Sequence, residues 1–339
     1  MPLTRKSPDR QHRVLVTGSR GKSSIVRLIH TALQNAGLQS FARITGVVPR
    51  EIGPDGTRII SRSSGAHVEE MRWWLNNLPA SAQAVVMENS AITPDLQGLA
   101  GDWLQPDITV LSNVLADHQE VWGPSKACAA QVLVAGIPEQ GQLVLPVKLK
   151  TDHYLLELLD RRRCEPSFVE AVPPVAGDWV GADFQATNLA LALATVKRLG
   201  MATVPALEAM RNLPPDSHDF RVVEYGGARL AMAFSANDIA STRTLFRSLS
   251  WSEEETRLIY NHRTDRPGRF RSFLDWLNDS RWRDVLIIGD KPPMRHCAGR
   301  YLRARDAADL LQLFRPGERV FGCGNIAGLP LALATGLDA

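Results

Sequence analysis

RVLVTGSRGKSS, residues 13–24, decides how the rest of the chain is read. An apolar β-type run, Val14, Leu15 and Val16, stops at Thr17-Gly18. Gly18-Ser19-Arg20-Gly21-Lys22-Ser23 follows, and a helical pattern then opens with Ile25, Val26 and Leu28. Strand, glycine loop and helix in that order form a phosphate cradle, because backbone N–H groups and the positive end of the helix converge on an anion. Gly18 and Gly21 permit the tight turn and the close approach of a phosphate. In such a loop Lys22 neutralises the β- and γ-phosphate oxygens and the Ser23 hydroxyl reaches Mg²⁺. Ser19, Arg20 and Ser24 complete the candidate nucleotide-binding set. The spacing is GxxGK[ST], shorter than the general GxxxxGK[ST] pattern, so the stretch alone admits both a nucleotide site and an ordinary βα turn. Residues further along favour the nucleotide.

With 339 residues, the chain predicts about two domains. A hydrophobic share of 44% is that of an ordinary globular protein. The net charge of +3 is too small for a nucleic-acid footprint. Cys128, Cys164, Cys297 and Cys323 form no CxxC pair, which fits free thiols in a reducing cytosol and argues for no cysteine metal site. Residues 1–12 are polar and basic, predicting a disordered arm with no signal-peptide core. No run approaches the roughly 20 apolar residues that span a bilayer. These features predict a cytoplasmic, soluble protein and leave docking to a membrane through a partner open.

Residues 25–36 read as an amphipathic helix stopped at Gly37, with His30 as a packed or surface residue. Residues 41–64 read as a hairpin or long loop around Pro54-Asp55-Gly56. They carry Arg43, Arg50, Arg58 and Arg62, either a solvated basic loop or a set that meets an anionic substrate. Val68, Met71, Leu75 and Leu78 fall at helical spacing, and Trp73 and Trp74 beside them read as core packing. Residues 84–87 are a short buried strand that delivers Glu88 at its end. Residues 108–111 are another, followed by Ser112-Asn113 and then Asp117-His118, where Asp117 reads as a helix cap. Apolar strands alternating with helices predict a parallel sheet, whose ligands bind beyond the carboxyl ends of its strands. The glycine loop, Glu88 and 113–118 all fall at such ends. Residues 141–146 add a further strand, and 186–199 a helix with Asn188 near its start. Pro214-Pro215 breaks the pattern, giving domains 13–215 and 216–339. Beyond the break, strands at 229–234, 257–261, 284–289 and 319–324 alternate with helices. Gly322 and Gly324 close this second domain and open no dinucleotide fingerprint.

TGSRGKSS, the Glu88 strand end, SNVLADHQEVWG and ATNLALALA stand in the order found in the Mur ligase superfamily, which the chain resembles. The likeness is greatest to the ligases of poly-γ-glutamate synthases, through ITGVVPREIGPDGT, MENSAITPDLQ, FSANDIAST, YNHRTDRPGRF and GNIAG. It runs from about residue 13 to 328. The expected class is therefore α/β: a P-loop-type parallel-sheet ATPase domain, then a smaller Rossmann-like C-terminal domain. With the nucleotide loop at Gly18, the superfamily's domain for a UDP-linked precursor is not expected. The membrane-anchoring segment of the poly-γ-glutamate branch is not expected either. No carbamylated lysine is assigned, since CAAQVLVAGIP lacks one and Lys126 lies too near His118.

The resemblance implies an ATP- and Mg²⁺-dependent ligase that turns a carboxylate into an acyl phosphate and joins it to an amino acid, foremost glutamate. Lys22, Glu88, His118 and Arg221 are its expected catalytic residues. Ser23, Glu88 and His118 would hold metal. Asn113, Asn188, Asp265 and Arg266 would join the glycine loop in binding nucleotide. Arg43, Arg50, Arg62, Asn237, Asp238 and Arg269 would meet the amino acid or the carboxylate-bearing peptide acceptor. Domain closure would exclude water from the acyl phosphate. Other readings are the same chemistry on another small peptide or natural product, and a nucleotide-binding subunit working only with membrane-embedded synthase partners. A plain NTPase switch is a third, although no apolar run ends in a Walker-B aspartate. A homo-oligomer is compatible with each.

Overall fold

The computed structural model describes residues 11–62, 65–172, 183–216, 218–236, 238–293 and 297–336. Residues 1–10 of the expected arm, residues 63–64 and Asn237 lie outside the described residues. The chain divides between Leu213 and Pro214 into two compact units.

The first unit is built on one sheet of eight strands: β1 (His12–Thr17), β2 (Ser40–Ile44), β3 (Arg50–Gly53), β4 (Gly56–Ile59), β5 (Ala84–Glu88), β6 (Ile108–Leu111), β7 (Gln142–Pro146) and β8 (Glu165–Val169). Their order is β4-β3-β2-β5-β1-β6-β7-β8. β2, β5, β1, β6, β7 and β8 run parallel, and the β3–β4 hairpin joins β2 antiparallel. β1 lies buried in the middle, so alternate residues feed two cores. Val14 and Val16 pack with Ile25, Ile29 and Leu33 of the helix Lys22–Asn35 and with Leu191 and Val196 of the helix Asp183–Arg198. Leu15 packs on the other face with Met71, Trp74, Met87 and Leu104. Each such side chain contributes about 1.5–3 kcal/mol when fully buried.

Residues 41–64 are more than a hairpin. Their first part is β2, parallel to β5, and only Arg50–Gly53 and Gly56–Ile59 form the two-stranded turn. A buried arginine hides β2 from pattern reading: Ala42 and Ile44 join one core while Arg43 between them is 1% exposed. β1 also starts at His12, inside the expected arm. His30 is buried, with Nδ1 3.0 Å from Ser40 Oγ. Trp74 packs as expected, whereas Trp73 is 54% exposed and stacks on His67.

In the second unit β9 (Val222–Tyr225), β10 (Ala228–Met232), β11 (Thr256–His262), β12 (Asp284–Gly289), β13 (Arg300–Tyr301) and β14 (Arg319–Cys323) form a sheet in the order β13-β12-β11-β14-β10-β9. All pair parallel except β9. Its core is aromatic: Phe246 meets Trp276, Trp282 and Phe321 edge-to-face at centroid distances of 6.0, 4.9 and 5.2 Å. A Cβ on Gly322 would stand 2.2 Å from Phe234 Cζ, so this glycine makes room for a ring.

Candidate active site

The carboxyl ends of β1, β5 and β6 lie side by side, Val16 opposite Glu88 and Thr17 opposite Leu111. The glycine loop leaves β1 there. Gly18 takes φ +126°, and a Cβ on it would lie 2.1 Å from Ser112 Oγ, so only glycine fits. Ser19, Arg20 and Asn113 then lock the loop to the segment after β6. Ser19 Oγ donates to the Leu115 carbonyl (2.9 Å) and accepts from the Leu115 N–H (3.0 Å). The Arg20 N–H donates to Asn113 Oδ1 (3.0 Å), and Asn113 Nδ2 donates to the Arg20 carbonyl (3.1 Å). Arg20 also grips Asp117 with both terminal nitrogens, at 2.6 and 3.1 Å. Burial pushes the Asp117 carboxyl up, but Arg20 and His118 outweigh it and hold the group below the usual aspartate range. Asp117 is therefore a clamp on the loop. The cap position of the next helix belongs to His118, which sits in the left-handed region at φ 44°.

Gly21, at φ +78°, caps the helix Lys22–Asn35, which has no side-chain cap and no acidic residue in its first turn. That leaves the N-terminal N–H groups for an anion. Asn188 lies against Gly21: a Cβ there would be 2.9 Å from its amide. Lys22 Nζ donates to the Gly18 carbonyl at 2.8 Å. Enclosure of the ammonium lowers its pKa below the usual lysine range, against the pull of Glu88 and Asp117. Ser23 Oγ donates to Glu88 Oε2 at 2.8 Å, and the Thr45 N–H donates to the same oxygen at 3.1 Å. Glu88 is 4% exposed. The turn behind it is fixed by Asn89 and Gln97, whose amides bond each other at 3.1 Å. Gln97 Nε2 also donates to the Ala91 carbonyl. Ser23 and Glu88 are hard oxygen donors in contact at the head of an uncapped helix, a set that fits Mg²⁺. Among the described residues no group of three or more His, Cys, Asp or Glu is arranged to hold a metal. An ion there would complete its shell with nucleotide oxygens and water. His118, the third expected ligand, packs on Trp122 (5.0 Å between centroids), with Nε2 3.6 Å from Asp117 Oδ2.

The expected substrate arginines are mostly engaged. Arg43 Nη2 and Arg62 Nη2 both donate to Glu70 Oε2, at 2.7 and 2.6 Å, and Arg62 Nε donates to Oε1 at 2.8 Å. Arg50 sits in β3 opposite Ile44 and Ile59. Lys126 pairs with Asp152 at 2.7 Å.

In the second unit, expected residues collect at the carboxyl ends of β10, β11 and β14. Arg221 Nη2 donates to the Ala334 carbonyl (3.0 Å). Asp238 caps the helix Ile239–Ser248 by accepting from the Ser241 N–H (2.8 Å). Arg263 holds Asp265 by two bonds and keeps its carboxyl below the usual range. Arg266 caps the helix Pro267–Leu277, and Arg269 Nη1 reaches the Gly324 carbonyl at 3.4 Å. Sequence reasoning assigns no role to Asn261, although it stands in the YNHRTDRPGRF stretch; its amide donates to the Asn325 and Ala327 carbonyls at 2.7 and 2.8 Å. The same reasoning passed over Asp290, which receives Thr264 N and Oγ at 2.8 and 2.9 Å. The signal for Asp290 was position alone, at the strand ends of a parallel sheet.

A glycine loop between strand and helix, with its hydroxyl on the carboxylate that ends a neighbouring parallel strand, defines a P-loop-type nucleotide-binding protein. The Mur ligase middle domain matches residues 16–171, and the poly-gamma-glutamate synthase CapB C-terminal domain matches residues 218–339. The chain thus joins a domain of the Mur ligase middle-domain family to one of the poly-gamma-glutamate synthase CapB C-terminal family. It is 26% identical to the PGA synthase CapB of Bacillus subtilis (strain 168), covering 93% of this chain and 87% of the relative. To the capsule biosynthesis protein CapB of Bacillus anthracis it is 27% identical, covering 93% and 74%. The fold is shared with MurF from Acinetobacter baumannii, at a TM-score of 0.69 and 12% identity over 96% of this chain and 77% of that one. It is shared too with a bifunctional folylpolyglutamate synthase/dihydrofolate synthase solved with Mn, AMPPNP and L-glutamate, at 0.67 and 14% over 98% and 90%.

Proposed function

We propose that this protein is an ATP-dependent amide ligase that activates a carboxylate as an acyl phosphate and joins it to glutamate in poly-γ-glutamate synthesis. The observation that carries the reading is the 2.8 Å contact between Ser23 Oγ and Glu88, beside Lys22 at the head of an uncapped helix. That arrangement suits the polyphosphate of a nucleotide. The strand-end glutamate and the match to a poly-γ-glutamate synthase C-terminal domain favour a ligase over a switch.

A free carboxylate is a poor electrophile, so amide formation needs activation. An acceptor carboxylate oxygen attacks the γ-phosphorus of ATP, and ADP leaves. The amine of the incoming amino acid then attacks the acyl carbon, the tetrahedral adduct collapses, phosphate departs and the amine loses a proton. Charge builds on the transferring phosphoryl group, so fixed donors matter more than covalent catalysis. Lys22 and the first-turn N–H groups hold the phosphates, and Asn188 flanks the loop where the rest of the nucleotide lies. Bound Mg²⁺, held by Ser23 and Glu88, would supply Lewis-acid neutralisation of the phosphate oxygens. Arg221, Asp238, Asp265, Arg266 and Arg269 of the second unit, with Asn237, are proposed to serve the nucleotide and the incoming amino acid. No helix among the described residues is long and apolar enough to cross a membrane. We place the reaction in the cytoplasm, where ATP is at hand.

Phosphate release by the purified protein with ATP and Mg²⁺, scanned over single amino acids in the presence of short γ-glutamyl acceptors, tests this. Glutamate should stimulate release, and Lys22→Ala and Glu88→Ala should each lower it by about 10²-fold or more. Stimulation by a different amino acid would move the substrate, and undiminished release in both variants would refute the site.

A further inference from the structure

A cleft of about 590 Å³ opens between the β3–β4 hairpin and the helix Glu70–Asn76, apart from the glycine loop. Its volume is ordinary for a small-molecule site, where about 300–1,000 Å³ is usual. Phe41, Trp73 and Trp74 line it, and so does Arg43. That arginine is 1% exposed, and only part of its donor fork is used: Nη2 bonds Glu70, whereas the buried Nη1 has no hydrogen-bond partner among the described residues. A buried guanidinium N–H without an acceptor is destabilising, so the position calls for a further acceptor, which a ligand can supply. Glu70 is shared by Arg43 and Arg62, two cations on one carboxylate, while Glu51 is matched by Arg58 and Asp55 also lines the cleft. The wall is thus of mixed charge, and what sets the Arg43 corner apart is the unmatched Nη1 beside aromatic rings.

Its place in the sheet matters too. Arg43 stands two residues before Thr45, the residue whose N–H holds Glu88.

We propose that this cleft binds the acceptor chain, with a carboxylate of a γ-linked glutamyl unit on Arg43 Nη1 and its methylenes against Trp73 and Trp74. A γ-linked chain is a thread of amides and methylenes with one carboxylate per unit, matching a single buried donor between rings. This inference rests on the substrate reading above and assigns it a place. It also narrows the expected arginine set to one ligand-facing member, with Arg62 acting through Glu70.

Calorimetric titration of γ-linked triglutamate into the protein, saturated with AMPPNP and Mg²⁺, tests the assignment. The wild type is compared with Arg43→Lys, which keeps the charge and loses the fork, and with Trp73→Ala at an exposed position that leaves the core intact. Both variants should bind triglutamate about tenfold or more weakly and AMPPNP within about twofold of wild type. Unchanged triglutamate affinity in both variants would overturn the cleft and leave the ligase reading standing. A wild type that binds AMPPNP but no triglutamate would overturn the cleft and the poly-γ-glutamate reading together.

Discussion

Gly18 is the tightest residue of the proposed site. Its left-sided φ and the 2.1 Å approach that a Cβ would make to Ser112 Oγ leave an added methyl nowhere to go. The loop of a Gly18→Ala variant must lift from the β6 segment, parting Ser19, Arg20 and Asn113 from their partners. Nucleotide affinity should fall about 10²-fold or more while the cores, which the loop does not enter, keep the fold. Equilibrium binding of AMPPNP alongside far-UV circular dichroism checks this, and full affinity in a folded variant would contradict it. At this scale the sequence was informative where chemistry demands a residue type in a fixed order. Gly18, Gly21, Lys22, Ser23 and Glu88 could be read because strand, loop and helix follow one another. Asp117 could not, since its partner Arg20 is 97 positions away and only the fold brings the two together. Arg43 and Arg62 were seen as a cluster, but their sharing of Glu70 was invisible for the same reason.

Among the elements, the helix Lys22–Asn35 was legible from its apolar face, and β2 was not. A strand announces itself by alternating apolar residues, and a buried arginine in mid-strand breaks that signal. β8 was missed because it lies at the sheet edge and its residues are exposed or half-buried, so no apolar run marks it. The helix His153–Arg161 buries only Leu155 and Leu159, too few to mark it in the sequence. The buried face of Lys22–Asn35 also makes stability depend on pH. Desolvation pushes His30 down to about 4. An unfolded histidine titrates near 6.5, so below that pH the unfolded chain gains a proton that the folded one refuses. Stability is therefore untouched above about pH 6.5 and falls progressively to about pH 4, by about 3 kcal/mol for this group. Urea titrations across that range should show a shallower acid-side fall for His30→Gln than for wild type; parallel curves would contradict the assignment.

For the molecule as a whole, the alternation of strands and helices was enough to foresee two parallel-sheet layers. The glycines near the end of the second could be separated from a dinucleotide fingerprint by position alone. The structure adds the reason for one of them, the Phe234 ring over Gly322. Asn261 and Asn325 stand inside the YNHRTDRPGRF and GNIAG stretches, but their contact emerged only when β11 and β14 came side by side. What unites the chain is the proposal that a carboxylate is activated by phosphoryl transfer, and isotope transfer tests that most directly. A γ-glutamyl acceptor labelled with ¹⁸O in its carboxylates is incubated with ATP, Mg²⁺, glutamate and the protein, and the released phosphate is examined by mass spectrometry. The acyl phosphate route predicts one labelled oxygen in each phosphate, because the attacking carboxylate oxygen stays on phosphorus when the amine displaces it. Phosphate carrying no label while ATP is consumed would mean that water takes the phosphoryl group, and would contradict ligation by this route.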